Sequence, residues 1–404
     1  MQKTTIGLIR ETKIPPDKRV PLTPKQCRIL LEQYPQLDIL VQPSSMRCYS
    51  DEEYRGEGIT LSDDMSTCQI LMGVKEVKVN ALLEGKSYLF VSHTAKKQPY
   101  NRKLLQEVVR RGIRLIDYEY LTGEDGIRVV AFGRWAGVVG AYNGLRGFGL
   151  RSGAFDLKPA HDCFDLRELH QELDKVDMGT KRILVTGGGR VAGGALEILD
   201  QAGIRQVDPE AYLKESFEQG VYARLDPWHY AQRIDGAEFD FTHFMEHPEM
   251  YVNSILPYAE RTDVFMACHF WDPRSPEMLD SKALASGKLP ISLVADISCD
   301  IDGPIASTIR ASTIASPYYG YDPVSGRETP PFEEGMITVM AVDNLPGELP
   351  RDASADFGEA LMEHVIPELL KEGDSPMLDR ASIASQGGLT PPYAYLEEYL
   401  AGRE

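Results

Sequence analysis

The stretch Lys181–Gly203, KRILVTGGGRVAGGALEILDQAG, constrains this chain most. Four β-prone residues, Ile183-Leu184-Val185-Thr186, run into three glycines. A helical pattern follows at once, with Val191, Ala195, Leu196, Ile198 and Leu199 on one face. Gly187-x-Gly189-x-x-Ala192 is a dinucleotide-binding fingerprint with alanine in its last place. Gly187 permits the tight turn out of the strand, and Gly189 lets the backbone approach a pyrophosphate with no Cβ in the way. The free N–H groups of the helix start, at Arg190 and Val191, then meet the negative charge. The competing reading is a glycine-rich strand–helix turn in another layered fold. The strand before the loop and the helix after it favour the cofactor site.

The rest of the chain repeats this alternation. Strands are expected at Thr4–Ile9, Leu37–Gln42, Gln69–Val74, Ser87–Val91 and Arg114–Tyr118. Between them, Thr23-Pro24 opens a helix to about Gln33, Asp51 caps a short one, and another runs from Asn101 to Arg111. Alternation over 120 residues predicts a parallel α/β sheet. Ala131–Arg151 is rich in small residues and reads as an amphipathic helix bridging two domains. Val221–Leu225, Asp263–Cys268, Leu293–Ile297 and Gly335–Val342 read as strands of a second sheet, Pro304–Pro331 as loop, and the last 55 residues as mostly helical.

Composition narrows the function. The 404 residues suffice for two or three domains with their own cores. A net charge of −18 argues against nucleic acid or anionic membrane as partner, because phosphates are repelled. No run approaches 18 apolar residues, and MQKTTIGLIRETK lacks the apolar core of a signal peptide. The six cysteines are scattered without metal-ligand spacing, so no metal is expected, and reduced thiols in the cytoplasm are. Oligomeric state is not legible.

Ligands of open parallel sheets bind outside the carboxyl ends of the strands. Lys75 and His93 follow two such strands, Lys96, Lys97 and Gln98 come next, Arg19 lies in the first loop, and Arg128 precedes Val129–Phe132. A lone His or Lys there is ordinarily structural. A cationic, titratable cluster in an acidic protein suits oxidation of a C–N bond. That reaction leaves an imine, which water converts to amine plus carbonyl. It needs a base near pH 7, for which His serves, and a second group such as a Lys whose pKa neighbouring cations lower. Substrate carboxylates call for Arg or Lys.

The segments RETKIPPDKRVPLTP, ILMGVKEV, FVSHTAKKQ, IDYEYLTGEDGIRVVAFGRWAGVVGA, VADISCDIDGPI and VDNLPGELPRDAS, with the glycine loop, resemble the alanine dehydrogenase/saccharopine dehydrogenase superfamily over essentially the whole chain. They most resemble its saccharopine dehydrogenases (NAD, L-lysine-forming). The resemblance implies two Rossmann-like domains with parallel sheets and an active-site cleft between them. Residues 1–132 plus 350–404 form the substrate and catalytic domain, and 133–349 the NAD-binding one. It implies Lys75 and His93 as catalytic residues. Arg19, Gln98, Arg128, Phe132, Ser298 and Asp300 would meet substrate, with Cys299 in the same loop. Ile297, Val342, Asp343, Asn344 and Leu345 would meet the cofactor.

There are departures. The fingerprint acid is due near Asp208, but Asp208-Pro209 looks like a helix start. We read 206–219 as an insertion and assign the adenosine ribose to Asp226, an acid that favours NAD over NADP. Phe239–Tyr258 looks like a second extra segment, and Ile127 stands where saccharopine dehydrogenases carry an arginine. The expected reaction is NAD-dependent cleavage of a saccharopine-like secondary amine to lysine and 2-oxoglutarate, or its reverse. The alternatives are alanine dehydrogenase, releasing ammonia and pyruvate, and a catalytically idle nucleotide sensor.

Overall fold

The computed structural model describes residues 3–15 and 17–403. Met1, Gln2, Pro16 and Glu404, which fall within the expected domain bounds and first-loop motif, lie outside them. The chain divides into two compact units, Met1–Phe132 with Pro350–Glu404, and Gly133–Leu349.

In the first unit, β1 (Thr4–Leu8), β2 (Leu37–Val41), β3 (Thr60–Leu61), β4 (Ile70–Met72), β5 (Ser87–Phe90) and β6 (Arg114–Asp117) pair in parallel in the order β3-β2-β1-β4-β5-β6. The helices between them form for local reasons. Thr23 caps α1 (Pro24–Gln33) through a reciprocal bond with Gln26, and Pro24 suits its first position. For α2 (Asp51–Gly56) the cap is Ser50, paired with Glu53, and not Asp51 as expected; Asp51 is already helical. The third, α3 (Arg102–Arg110), buries Leu104, Leu105 and Val108. Ile6, Leu22, Leu30, Ile39 and Met72 pack on one side of the sheet, and Leu71, Tyr88, Phe90 and Leu105 on the other. Both faces are therefore covered, as a parallel sheet requires.

The second unit opens with α4 (Gly133–Ser152). It is buried on nearly all sides, Trp135 through Gly149, and so is not the amphipathic bridge expected: it is a core helix of its own unit. After α5 (Leu166–Leu173) come β7 (Arg182–Thr186) and α6 (Arg190–Gln201). A Cβ on Gly137 would stand 1.9 Å from the Val191 carbonyl oxygen, and one on Gly194 2.0 Å from that of Arg134. The small residues thus serve backbone-to-backbone packing of α4 on α6. Next come β8 (Arg205–Gln206), α7 (Pro209–Lys214) and β9 (Val221–Leu225), then a small antiparallel pair, β10 (Ala231–Arg233) with β11 (Tyr251–Asn253). The remaining strands are β12 (Val264–Ala267), β13 (Leu293–Asp296), β14 (Tyr318–Asp322), β15 (Arg327–Thr329) and β16 (Ile337–Met340). The sheet order is β8-β9-β7-β12-β13-β16-β14-β15, parallel from β8 to β16, with β14 antiparallel to both its neighbours, β16 and β15.

That β14–β15 hairpin corrects the loop expected over Pro304–Pro331. Tyr318, Tyr319 and Tyr321 are β-formers buried against the sheet edge, a preference outweighed in the sequence by flanking Pro and Gly. The chain then returns to the first unit. Pro350–Ala360 and the helical turns after it place Phe357, Leu361, Val365 and Ile366 in the core. The tail is not only helical: β17 (Ser382–Ser385) pairs antiparallel with β6, and β18 (Gly388–Leu389) with β17. No helix of the described residues is long and apolar enough to cross a membrane.

Candidate functional site

In the first unit the strand order reverses between β1 and β4, and the loops leaving their carboxyl ends meet there. Lys75 lies three residues beyond β4. Its ammonium makes no hydrogen bond or ion pair among the described residues. Burial, then the charges of Arg19 and Lys13, hold its pKa below the usual lysine range against the pull of Asp17 and Glu76. Neighbouring Glu76 accepts from His93 Nδ1 at 2.6 Å. Burial works against the Glu76 charge, but the His93 hydrogen bond, backbone bonding and Lys13 bring its pKa down to about 2. Lys13 Nζ lies 3.3 Å from Glu76 Oε2 as an ion pair, while that oxygen makes no hydrogen bond.

His93 is fixed from behind. It sits in the left-handed region, φ 53°, where a side chain other than glycine is strained. The preceding Ser92 is held through its N–H (2.9 Å) and Oγ (2.6 Å) by Asp117 at the end of β6, and its carbonyl accepts from Asn101. Burial raises the Asp117 pKa, which these bonds oppose. Beyond it, Glu119 Oε1 is shared by Lys96 at 2.9 Å and Arg128 at 3.5 Å, while Oε2 is buried without a partner. Lys75, Glu76, His93, Lys96, Glu119 and Arg128 are thus linked through short contacts and shared fields at one end of one sheet.

Arg19 is held within its own loop. Its Nε and Nη2 fork onto Asp17 at 3.0 and 2.6 Å, and its guanidinium carbon lies 4.2 Å over the Phe132 ring, which stacks on Phe357. Its charge also acts on Lys75. Burial opposes the Asp17 charge, yet Arg19 holds that carboxyl well below the usual range. Gln98 is partly buried; its side-chain oxygen accepts from Tyr100 and its carbonyl from Tyr399.

The second unit reverses between β7 and β12, and here the fingerprint stands. Gly187 has φ 100°, and a Cβ on it would lie 2.7 Å from the Cys268 carbonyl oxygen, so only glycine fits. Gly189 faces open space and stands at the start of the 12-residue α6 with no side-chain cap bond. Asp226 follows β9 directly, with Oδ1 2.3 Å from where a Gly188 Cβ would be. Its Oδ2 bonds Arg224 at 2.8 Å, and its N–H donates to His229. Asp208 instead caps α7, accepting from the Ala211 N–H. Both acids line an open pocket of ≈ 400 Å³ with Gln206, Arg224 and His229.

The other expected contacts lie at the ends of β13 and β16. Ile297 is buried, and a Cβ on Gly140 would meet it at 2.5 Å, so it packs on α4. Ser298 Oγ and the Cys299 N–H both turn onto Asp296, and Cys299 is left-handed, φ 55°. Burial, then Asp296, raises the Asp300 pKa. Val342 and Leu345 are buried and Asp343 is exposed. The sequence reading passed over Glu11, Asp17, Glu76, Asp117, Glu119, Asp296 and His269. Five of these lie inside the quoted motifs RETKIPPDKRVPLTP and ILMGVKEV or at a strand end, which was the available signal.

Residues 7–139 match the family model described as "Alanine dehydrogenase/PNT, N-terminal domain". The matched stretch runs from within β1 through β6, with Lys75 and His93 beyond the carboxyl ends of β4 and β5, and into α4. The whole chain is 31% identical to alpha-aminoadipic semialdehyde synthase, mitochondrial, of Bos taurus, covering 100% of this chain and 48% of that protein. It therefore spans about half the length of that relative. It is 25% identical to saccharopine dehydrogenase (NAD(+), L-lysine-forming) of Emericella nidulans, over 93% of each chain. A solved L-alanine dehydrogenase shares the fold, with TM-score 0.67 at 15% identity over 99% of this chain and 100% of that one. The resemblance read from the sequence and the α/β class are borne out.

Proposed function

We propose that the chain is a pyridine-nucleotide-dependent oxidoreductase acting on a CH–NH bond. The preferred cofactor is NAD, and the substrate a saccharopine-like secondary amine cleaved to lysine and 2-oxoglutarate, or formed from them. The observation that carries this is the Lys75–Glu76–His93 constellation: an uncommitted amine with a lowered pKa beside an imidazole tied to a carboxylate at 2.6 Å. The likeness to saccharopine dehydrogenases over nearly their full length supports the substrate class.

The glycine loop fits a dinucleotide: it has a Cβ-free cradle at Gly189, a helix start on α6 without a side-chain cap and an acid after β9. When bound, the nicotinamide supplies the hydride acceptor or donor. The chain's residues manage protons and charge. Ionised Glu76 accepts at Nδ1, so the His93 ring carries its proton there and turns Nε2 toward the reacting oxygen, as base for water addition and as acid in reverse. Lys75, with its pKa lowered, takes the proton of the substrate nitrogen and returns it to the leaving amine. Lys96 and Arg128 offer positive charge to substrate carboxylates, while the orphaned oxygens of Glu76 and Glu119 can accept from an ammonium. The reading assigns proton chemistry and substrate to residues 1–132 with 350–404, and nucleotide binding to 133–349.

An NADH-oxidation assay comparing lysine plus 2-oxoglutarate with pyruvate plus ammonium tests it, with NADPH run alongside. Turnover with the first pair is expected. Turnover only with the second transfers the assignment to alanine dehydrogenase chemistry, and no turnover with any combination overturns it.

A further inference from the structure

The two units share a strand order, and at the reversal each places a loop leaving the first strand against a loop leaving its neighbour. In the second unit Gly187 keeps that place clear of side chains. In the first, a carboxylate fills it. Glu11, three residues beyond β1, crosses to the end of β4, where Oε1 accepts the Val74 N–H at 2.6 Å and Oε2 the Lys75 N–H at 3.0 Å. Gly73 makes room, since a Cβ there would lie 3.3 Å from Oε1. Consecutive backbone donors closing on one anion are what a ligand phosphate meets at a helix start, here satisfied from within the chain.

We propose that Glu11 is a positioning residue for Lys75: its carboxylate anchors the Val74–Lys75 backbone, and its protonation state sets how firmly the amine is held. The inference rests on Lys75 being a proton carrier as described above. Two oxygens accepting two N–H groups require an ionised carboxylate for full strength, because protonation converts one oxygen into a donor with nothing to give it to. Burial raises the Glu11 pKa to about 8; the Val74 bond lowers it, Asp17 raises it, and the Lys75 bond and Arg19 lower it. The groups facing Glu11 come from every element around it. Arg10, Asp17 and Arg19 share its loop, Arg47 comes from the segment leading into α2, Asp51 is the first residue of α2, and Lys75 follows β4. Tyr118, after β6, is close enough for Glu11 to raise its pKa, and its hydroxyl has no hydrogen-bond partner among the described residues. Glu11 also borders a groove of ≈ 580 Å³ lined by Arg10, Ser44, Arg47 and Asp51, open to solvent, through which a proton can come and go.

The test uses the full chain, wild type and Glu11→Gln. Three readouts apply: hydrogen exchange of a peptide spanning residues 73–77, pH-dependent acetylation of Lys75 followed by mass spectrometry, and kcat and KM. An amide at position 11 still accepts one N–H but presents its own donors to the other. Exchange at 74–75 should speed up roughly tenfold or more, the scale of one lost charge-assisted bond. The Lys75 labelling midpoint should move down, and kcat should fall about tenfold with KM for the nucleotide unchanged. A folded Glu11→Gln protein with unaltered exchange and labelling overturns the proposal. Should that variant not fold, the wild type decides: protection of 74–75 that strengthens as pH rises through about 8 supports it, and flat protection overturns it. Exchange and labelling do not depend on turnover. Wild-type inactivity combined with the Lys75 shift overturns the functional reading while supporting the anchor.

Discussion

Both sheets reverse their strand order at the same place, β1 against β4 and β7 against β12, and both continue from the sixth parallel strand into an antiparallel pair. What stands at the reversal differs. The first unit crowds it with buried charge: Glu11, the Asp17–Arg19 pair, Lys75, and Glu76 on His93. The second clears it to backbone, with Gly187, Gly188 and a helix start without a side-chain cap, and the buried imidazole of His269 is held neutral, with its pKa brought down to about 4. Charged side chains arranged to shift one another's pKa suit proton transfer. Fixed N–H groups suit binding an anion whose charge does not change. On the proposed reading, one scaffold separates the two tasks by what fills a single crevice.

Substitutions that affect one crevice and spare the other can break this comparison. The largest effect is expected from Lys75→Met and His93→Ala, each lowering kcat by roughly 10²–10⁴ while NADH affinity stays within a factor of about two. Steady-state kinetics beside fluorescence titration decide it. Equal losses in binding would mean that the tasks are not separated. Next, Asp226→Ala should weaken NADH about tenfold and NADPH less, the scale of one hydrogen bond to a charged group. Asp208→Ala should leave both unchanged, and the reverse pattern would move the ribose site to Asp208.

The smallest effect lies in acid stability, where the units should respond with opposite sign. His269 has a folded pKa depressed from about 6.5 to about 4, so its contribution is present above pH 6.5 and lost as pH falls toward 4. Glu11 has a folded pKa raised from 4.5 to about 8, so its contribution is present below pH 4.5 and lost as pH rises toward 8. Below that window Asp17 and Glu76, both depressed, begin to take protons and destabilise the first unit in turn. Hydrogen exchange of β12 peptides between pH 4.5 and 8 should show protection rising, while the denaturant stability of wild type relative to Glu11→Gln should fall over the same range; the local Val74–Lys75 bonds, which tighten as Glu11 ionises, follow the opposite course. His269→Gln should flatten only the β12 profile.

The parallel sheets were legible because strand–helix alternation is local, and the fingerprint because its glycines answer to a local turn. The β14–β15 hairpin and β17–β18 were not. Their pairing partners, β16 and β6, lie outside any local window, and Pro and Gly around Tyr318–Asp322 mimic a loop. The helix start at Pro209 was legible, and the Asp208 cap explains it. The candidate site was legible as positions rather than as a circuit. Lys75 and His93 stand out as strand-end residues, but Glu11 reads as one more surface acid until its partners, 63 and 64 residues away, are seen. The Asp17 carboxylate that pairs with Arg19 was likewise not legible as its partner.

Asp226 and Gly188 carry one last consequence. The carboxylate lies within the volume a Gly188 side chain would occupy, so the acid that would read the ribose also props the phosphate loop from beneath. Cofactor preference and loop rigidity therefore cannot be tuned separately. A variant that exchanges Asp226 for a smaller or basic residue to change nucleotide choice also leaves a gap or an intruder under the glycines. A redesign of this protein's cofactor choice would have to rebuild the floor of the loop along with its ribose contact.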